Sequence, residues 1–250
     1  MSRESDQQLR ELVGLLGAAD SAELKLTVPD EDQRSTVEAL EMDLLDAVIR
    51  QVYFFDTPDL DLDAAGVVVR GRRTQGKADD SVVKMRPIDP GAVPAELRES
   101  KRFVVEVDAL PGGYVCSGSF KGEREPGTVK QVTLENRPVS RLFSKKQRAL
   151  FAEHAPEGIQ LDNLAVLGPI PVFKLKFSPH GYDRRLVAEL WFYPDGSRIL
   201  ELSTKCEPGE AFQVAAEARA FLAGRGVNLF GEQQTKTRTA LEYFSRQSRL

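Results

Sequence analysis

The sequence predicts an α+β protein built on a closed, antiparallel, eight-stranded β-barrel with covering helices. Two observations predict it. In strand after strand one face is aliphatic or aromatic and the other carries a charge, alternating at the period of two that a strand imposes. Helical segments lie between these strands, and amphipathic helices need an apolar surface to cover. An open sheet with one wet face explains each strand singly. It does not explain why the charges are sorted, with basic pairs on adjacent middle strands and carboxylates on the first and last. A closed barrel explains both, because helices cover its apolar outside while the charged faces line a tunnel.

The elements follow in order. Residues 1–20 carry a weak helical pattern at Leu9, Leu12, Val13 and Leu16 and form a leading helical segment. Residues 22–28 alternate, with Glu23 and Lys25 opposite Leu24 and Leu26. Pro29-Asp30 ends that strand, and Ser35 caps a helix expected to run to about residue 50 on Val37, Leu40, Leu44, Leu45 and Val48. A strand at 51–57 and a polar link precede the two most informative strands. In the first, Arg70 and Arg72 oppose Val67, Val69 and Gly71; in the second, Lys84 and Arg86 oppose Val83 and Met85. Paired strands put these four cations on one surface, which is costly unless something anionic sits there.

Residues 87–100, with Pro87, Pro90 and Pro94, read as a connection. A strand at 102–110 carries Glu106 and Asp108 opposite Val105 and Val107. The Gly-rich segment 111–127 reads as a hairpin or a loop with no functional assignment. A strand is expected near 128–134 and a helix from 140 to about 154. Three further strands at 172–178, 186–193 and 199–206 place Lys174 with Lys176, Glu189 with Trp191, and Glu201 with Ser203 and Lys205. Asp195-Gly196 is the turn between the last two. A helix at 211–223 and the segment KTRTALEYF close the chain, which is expected to be a single domain over residues 1–250.

Composition narrows the partners. A net charge of −4 over 250 residues argues against a nucleic-acid polymer as partner, so a cationic site must be local and internal. Cys116 and Cys206 are too few for a disulfide framework and fit a reducing, cytoplasmic setting. No apolar run approaches the roughly 20 residues of a membrane span, and the N-terminus lacks the apolar core of a signal peptide. His154 and His180 are isolated, and neither has metal-ligand spacing.

Inside the predicted barrel, Lys25, Arg70, Arg72, Lys84, Arg86, Lys174, Lys176 and Lys205 would converge with Glu23, Glu106, Asp108, Glu189 and Glu201. An excess of cations favours a multiply charged anion, with Arg supplying bidentate phosphate contacts and Lys a point charge. The carboxylates favour a hard, oxygen-liganded ion, Mg²⁺ or Mn²⁺.

At this point the motifs resemble those of CYTH-domain proteins of the triphosphate tunnel metalloenzyme superfamily, which includes inorganic triphosphatases, thiamine triphosphatases and class IV adenylate cyclases. The family opens with Glu-x-Glu-x-Lys, which aligns here with Ser21-Ala22-Glu23-Leu24-Lys25. Its second landmark corresponds to Tyr53, Asp56-Thr57-Pro58, Leu62 and Arg70-Gly71-Arg72. Val83-Lys84-Met85-Arg86, Lys174-Leu175-Lys176, Glu201-Leu202-Ser203-Thr204-Lys205 and Thr235-Lys236 match the later ones. Two departures stand out: Ser21 and Ser203 occupy positions where the family has Glu, so each acidic pair has lost a member.

The resemblance implies that Lys25, Arg70, Arg72, Lys84, Arg86, Lys174, Lys176, Lys205 and Lys236 bind phosphate, and that Glu23 and Glu201 hold Mg²⁺ or Mn²⁺. Glu106, Asp108 and Glu189 are available to replace the missing carboxylates. Lys25 and Glu201 are the expected catalytic residues. The implied activity is metal-dependent hydrolysis of inorganic triphosphate or a small organic triphosphate. Adenylate cyclisation and a non-catalytic polyphosphate- or nucleotide-binding module are the alternatives, the latter because of the two serines. The expected partner is therefore a small triphosphate or polyphosphate, and a homodimer is compatible with the reading.

Overall fold

Strands that are apolar on one face and charged on the other need a cover for the first face and water or a ligand for the second. The computed structural model, which describes residues 3–230, 233 and 235–248, supplies the cover with helices around a barrel. In chain order the elements begin with α1 (Arg3–Ala18), β1 (Ser21–Val28), α2 (Gln33–Ala39), β2 (Val48–Asp56), α3 (Asp61–Ala64), β3 (Val67–Thr74) and β4 (Asp79–Met85). The middle of the chain forms α4 (Ala95–Arg98), β5 (Phe103–Leu110), β6 (Gly113–Arg124), α5 (Thr128–Leu134) and α6 (Lys145–His154). The last third forms β7 (Ala165–Phe177), β8 (Leu186–Phe192), β9 (Arg198–Cys206), α7 (Ala211–Gly224) and α8 (Lys236–Ser248). No described helix is long and apolar enough to cross a membrane.

The strands close in the order β1-β5-β6-β4-β3-β2-β7-β8-β9. This corrects the expected eight antiparallel strands: among the described residues the barrel has nine, and β1 runs parallel to β5, with Ser21 opposite Glu106 and Glu23 opposite Asp108. The other neighbours are antiparallel. A parallel pair needs a long crossover, and β2 to β4 with their connections form it.

Two segments differ from expectation for identifiable reasons, and a third takes one of the two forms expected. The Gly-rich stretch 111–127 takes the hairpin form: it is largely β6, which turns back on β5 with Leu110 opposite Gly113 and lies between β5 and β4. Its glycines make room on the outer face. A Cβ on Gly118 would lie 2.7 Å from Phe103 Cζ, and one on Gly122 would lie 2.6 Å from Gln147 Oε1 and 2.9 Å from Ser81 Oγ. Gln147, fully buried on α6, uses that space to donate to the carbonyls of Ser81 and Phe120, both at 3.1 Å, while its Oε1 accepts from Ser144 N at 2.9 Å. A Gly122→Ala chain should therefore lose about 1–3 kcal/mol of stability through overpacking, read as a lower urea midpoint.

Residues 128–134, expected as a strand, are instead α5. Gly127 turns into it with φ 89°, the Asp79 carboxylate accepts from Val129 N at 2.9 Å, and Val129 and Val132 face the barrel three residues apart. Tertiary capping overrides the β-branched composition. The helix expected from 35 to about 50 also stops early. α2 ends at Ala39, Glu41 takes φ 52°, and Asp43 caps a short turn through Leu45 N. Leu44 and Leu45, whose spacing suggested continuation, are 60% and 94% exposed, and β2 starts at Val48.

Two apolar clusters wrap the outside of the barrel. One joins Tyr53, Phe55, Val69, Val83 and Val105 to α5 and α6; the other joins Leu26, Leu175, Leu186 and Leu202 to α7. A third contains Val52, Val68, Val172, Trp191 and Ile199, which share strand parity with Arg50, Arg70, Lys174, Glu189 and Glu201 and so lie inside. α8 packs Ala240 and Leu241 against this inner cluster. The turn after β2 assists there. Asp56 accepts from the backbone of Thr57, Leu62 and Asp63, and Ser245 of α8 donates to the Pro58 carbonyl at 2.8 Å. The Asp56-Thr57-Pro58 landmark thus shapes the filled end of the barrel.

Candidate functional site

The rest of the interior is a cavity of about 1220 Å³ lined, among the described residues, by thirteen basic and eight acidic ones. In a chain of net charge −4 this is a strong local concentration of positive charge. Lys25, Arg70, Arg72, Lys84, Arg86, Lys174, Lys205 and Lys236 line it together with Glu23, Glu106, Asp108, Glu189 and Glu201. Lys176 is the correction: it is exposed and does not line the cavity, because it lies near the end of β7, beyond Lys174. Arg50 and Lys121 line the cavity although the sequence reading assigned them no role. Arg50 was hidden by the overlong helix, and Lys121 by the unassigned Gly-rich segment. Alternation of Ser117, Ser119, Lys121 and Glu123 was the available signal for the latter.

Five of the inner acids fall into two groups. Glu23, Glu106 and Asp108 converge, each offering a carboxylate oxygen within 4.8 Å of the others. The parallel pairing of β1 with β5 produces this convergence. Ser21 donates to Glu106 Oε2 at 3.3 Å, so a carboxylate from the neighbouring strand reaches the place where the first motif lacks its Glu. Lys25 Nζ lies 2.8 Å from Asp108 Oδ1 and 3.3 Å from Glu23 Oε2, Lys84 Nζ lies 3.4 Å from Asp108 Oδ2, and Lys205 pairs with Glu106. Burial alone would raise the Asp108 carboxyl, but Lys25 and Lys84 hold it below its ordinary value. Burial likewise opposes the Lys25 charge, yet Asp108, Glu23 and Glu201 outweigh it and raise the ammonium above its usual range.

Glu189 and Glu201 form the second group, directly opposite on β8 and β9. Lys236, the first residue of α8, bridges them at 2.7 Å to each. Lys174 and Arg50 also reach Glu189, at 2.8 Å and 3.3 Å. Trp191 stacks on Phe54, with ring centroids 6.4 Å apart, and its Nε1 donates to Glu189 at 3.3 Å.

The cations on the opposite wall are under-compensated. Arg72 Nε pairs with Asp80 at 2.7 Å. Arg70, Arg86 and Lys121 make no ion pair among the described residues, and Arg70 Nε is buried without a hydrogen-bond partner. Burial, then the neighbouring Arg72 charge, pushes the Arg70 guanidinium down to about 10. Burial also lowers Lys84 and Lys121. A desolvated guanidinium without an ion pair favours an anion in the cavity.

No protein-family profile and no curated protein matches this chain. Solved structures do share its fold. One is an adenylyl cyclase candidate from Hippeastrum with a dominant triphosphatase activity, at TM-score 0.65 and 18% identity over 88% of this chain and 95% of that one. Another is an adenylate cyclase candidate from Bacillus halodurans, at TM-score 0.60 and 13% identity over 88% of this chain and 97% of that one.

Proposed function

We propose that this chain, which has the fold of the CYTH-type triphosphate tunnel metalloenzymes, hydrolyses inorganic triphosphate or a small organic triphosphate with the help of Mg²⁺ or Mn²⁺. The observation that carries the reading is the facing of two charge systems across one cavity: unpaired Arg70 beside Arg72 on one wall, and the Glu23, Glu106 and Asp108 carboxylates on another. The three carboxylates are the hard oxygen donors such an ion takes. When bound, the ion would polarise a phosphoryl oxygen and lower the pKa of a water.

The chain's own residues do the remainder. Arg70, Arg72, Arg86 and Lys121 hold phosphate oxygens and neutralise charge that develops as the anhydride breaks. Lys84 and Lys25, both on Asp108, line the cavity beside the acids. Lys25, beside Asp108 and Glu23, contributes charge and a hydrogen bond. Water adds to the terminal phosphorus and the bridging oxygen leaves with the diphosphate. Glu201 and Glu189, engaged by Lys236, support the cationic floor.

Purified protein incubated with tripolyphosphate, ATP or thiamine triphosphate, with Mg²⁺ or Mn²⁺, tests this. Phosphate release that disappears on chelation is expected. Cyclic AMP from ATP would make it a cyclase instead, and tight binding without any product would leave a binding module.

A further inference from the structure

We propose that the Lys236 ammonium occupies the cation position between Glu189 and Glu201, so that the barrel takes one divalent ion and not two. The proposal rests on the reading of Glu23, Glu106 and Asp108 as the metal site, and it explains why the other inner carboxylates do not form a second one. Two carboxylates directly opposite on neighbouring strands repel unless a cation lies between them. Lys236 Nζ meets that need, 2.7 Å from Glu189 Oε2 and 2.7 Å from Glu201 Oε1, with its third side over the Trp191 ring at 5.2 Å. The other Glu189 oxygen accepts from Lys174 at 2.8 Å and from Arg50 at 3.3 Å. Both Glu189 oxygens are thus taken.

Lys236 is also anchored. Its carbonyl accepts from Tyr193 Oη at 3.0 Å, and one turn on, Ala240 and Leu241 are 0% and 2% exposed against the apolar end of the barrel. The cations at the other acid group are placed differently. Lys205 is 49% exposed in its side chain, and Lys25 and Lys84 face the cavity, where phosphate oxygens can draw them off the carboxylates. One acid group can therefore be vacated by its lysines, whereas the other is locked by a helix.

Titration of the full chain with Mn²⁺, followed by calorimetry and by the EPR signal of the free ion, should give one ion per chain. Glu201→Gln should keep that stoichiometry and affinity, whereas Asp108→Asn should weaken binding by at least about tenfold. Lys236→Met should admit a second ion. Two ions in the parent, or a folded Lys236→Met chain that still takes one, overturns the proposal. So does loss of the ion in Glu201→Gln with retention in Asp108→Asn, a comparison that stands even where Lys236→Met does not fold. No ion in the parent overturns the proposed metal site and, with it, this count.

Discussion

An Arg70→Met chain should be more stable than the parent and nearly inactive. Arg70 is the clearest case in the barrel of a charge held at a cost: its Nε is buried without a partner, Arg72 repels it, and no described carboxylate pairs with it. A buried polar group left unsatisfied costs about 1–3 kcal/mol, so an unbranched apolar side chain of similar length should return about that much to folding. On the proposed function the same substitution also removes a phosphate-binding donor, and loss of one such donor typically lowers turnover about 10²–10³-fold. Urea melts and phosphate-release rates of parent and variant give both values. A variant that is less stable and still active would show that Arg70 serves the fold and not the substrate.

Lys236→Met should act in the opposite direction, with a loss of about 3–5 kcal/mol when no divalent ion is added, because breaking a buried bridge leaves charge uncompensated. Here Glu189 and Glu201 would face each other across β8 and β9 without the ammonium between them. The pH dependence has a definite sign. Burial pushes the Glu189 carboxyl up, but Lys236 and Lys174 hold it well below 4.5, so its contribution is present above that value and lost as pH falls through the lower folded-state pKa. Burial opposes Lys236 too, yet Glu189 and then Glu201 raise it above 10.5, so its contribution is complete below that value and lost only as pH rises through the raised one. The stability gap between parent and variant should therefore be flat between about pH 5 and pH 10 and should shrink in acid. Thermal melts across that range measure it, and a gap that widened in acid would contradict the bridge.

Much of the site was legible because a strand's alternation is local. Arg70 with Arg72, Lys84 with Arg86, Glu23 with Lys25, and Glu106 with Asp108 each share a face in the sequence, and each pair lines the cavity. The same rule misplaced Lys176, since alternation names a face but does not say where the barrel ends. Arg50 was missed when apolar spacing at Leu44 and Leu45 suggested a helix, although these residues lie in solvent. For 111–127 the sequence leaves hairpin and loop open because its glycines suit both; the reason for them, space for Phe103 and Gln147, lies on other elements.

By itself, then, the sequence determined an inverted barrel: apolar outside under helices, charged inside, with more cations than acids facing inward. Only the tertiary structure decided which charge meets which. The parallel closure of β1 on β5 brings Asp108 to Lys25 across 83 residues and Glu106 to Ser21 across 85. The docking of α8 carries Lys236 to Glu189 across 47. Coulomb energy depends on distance in space, and no period along the chain encodes it.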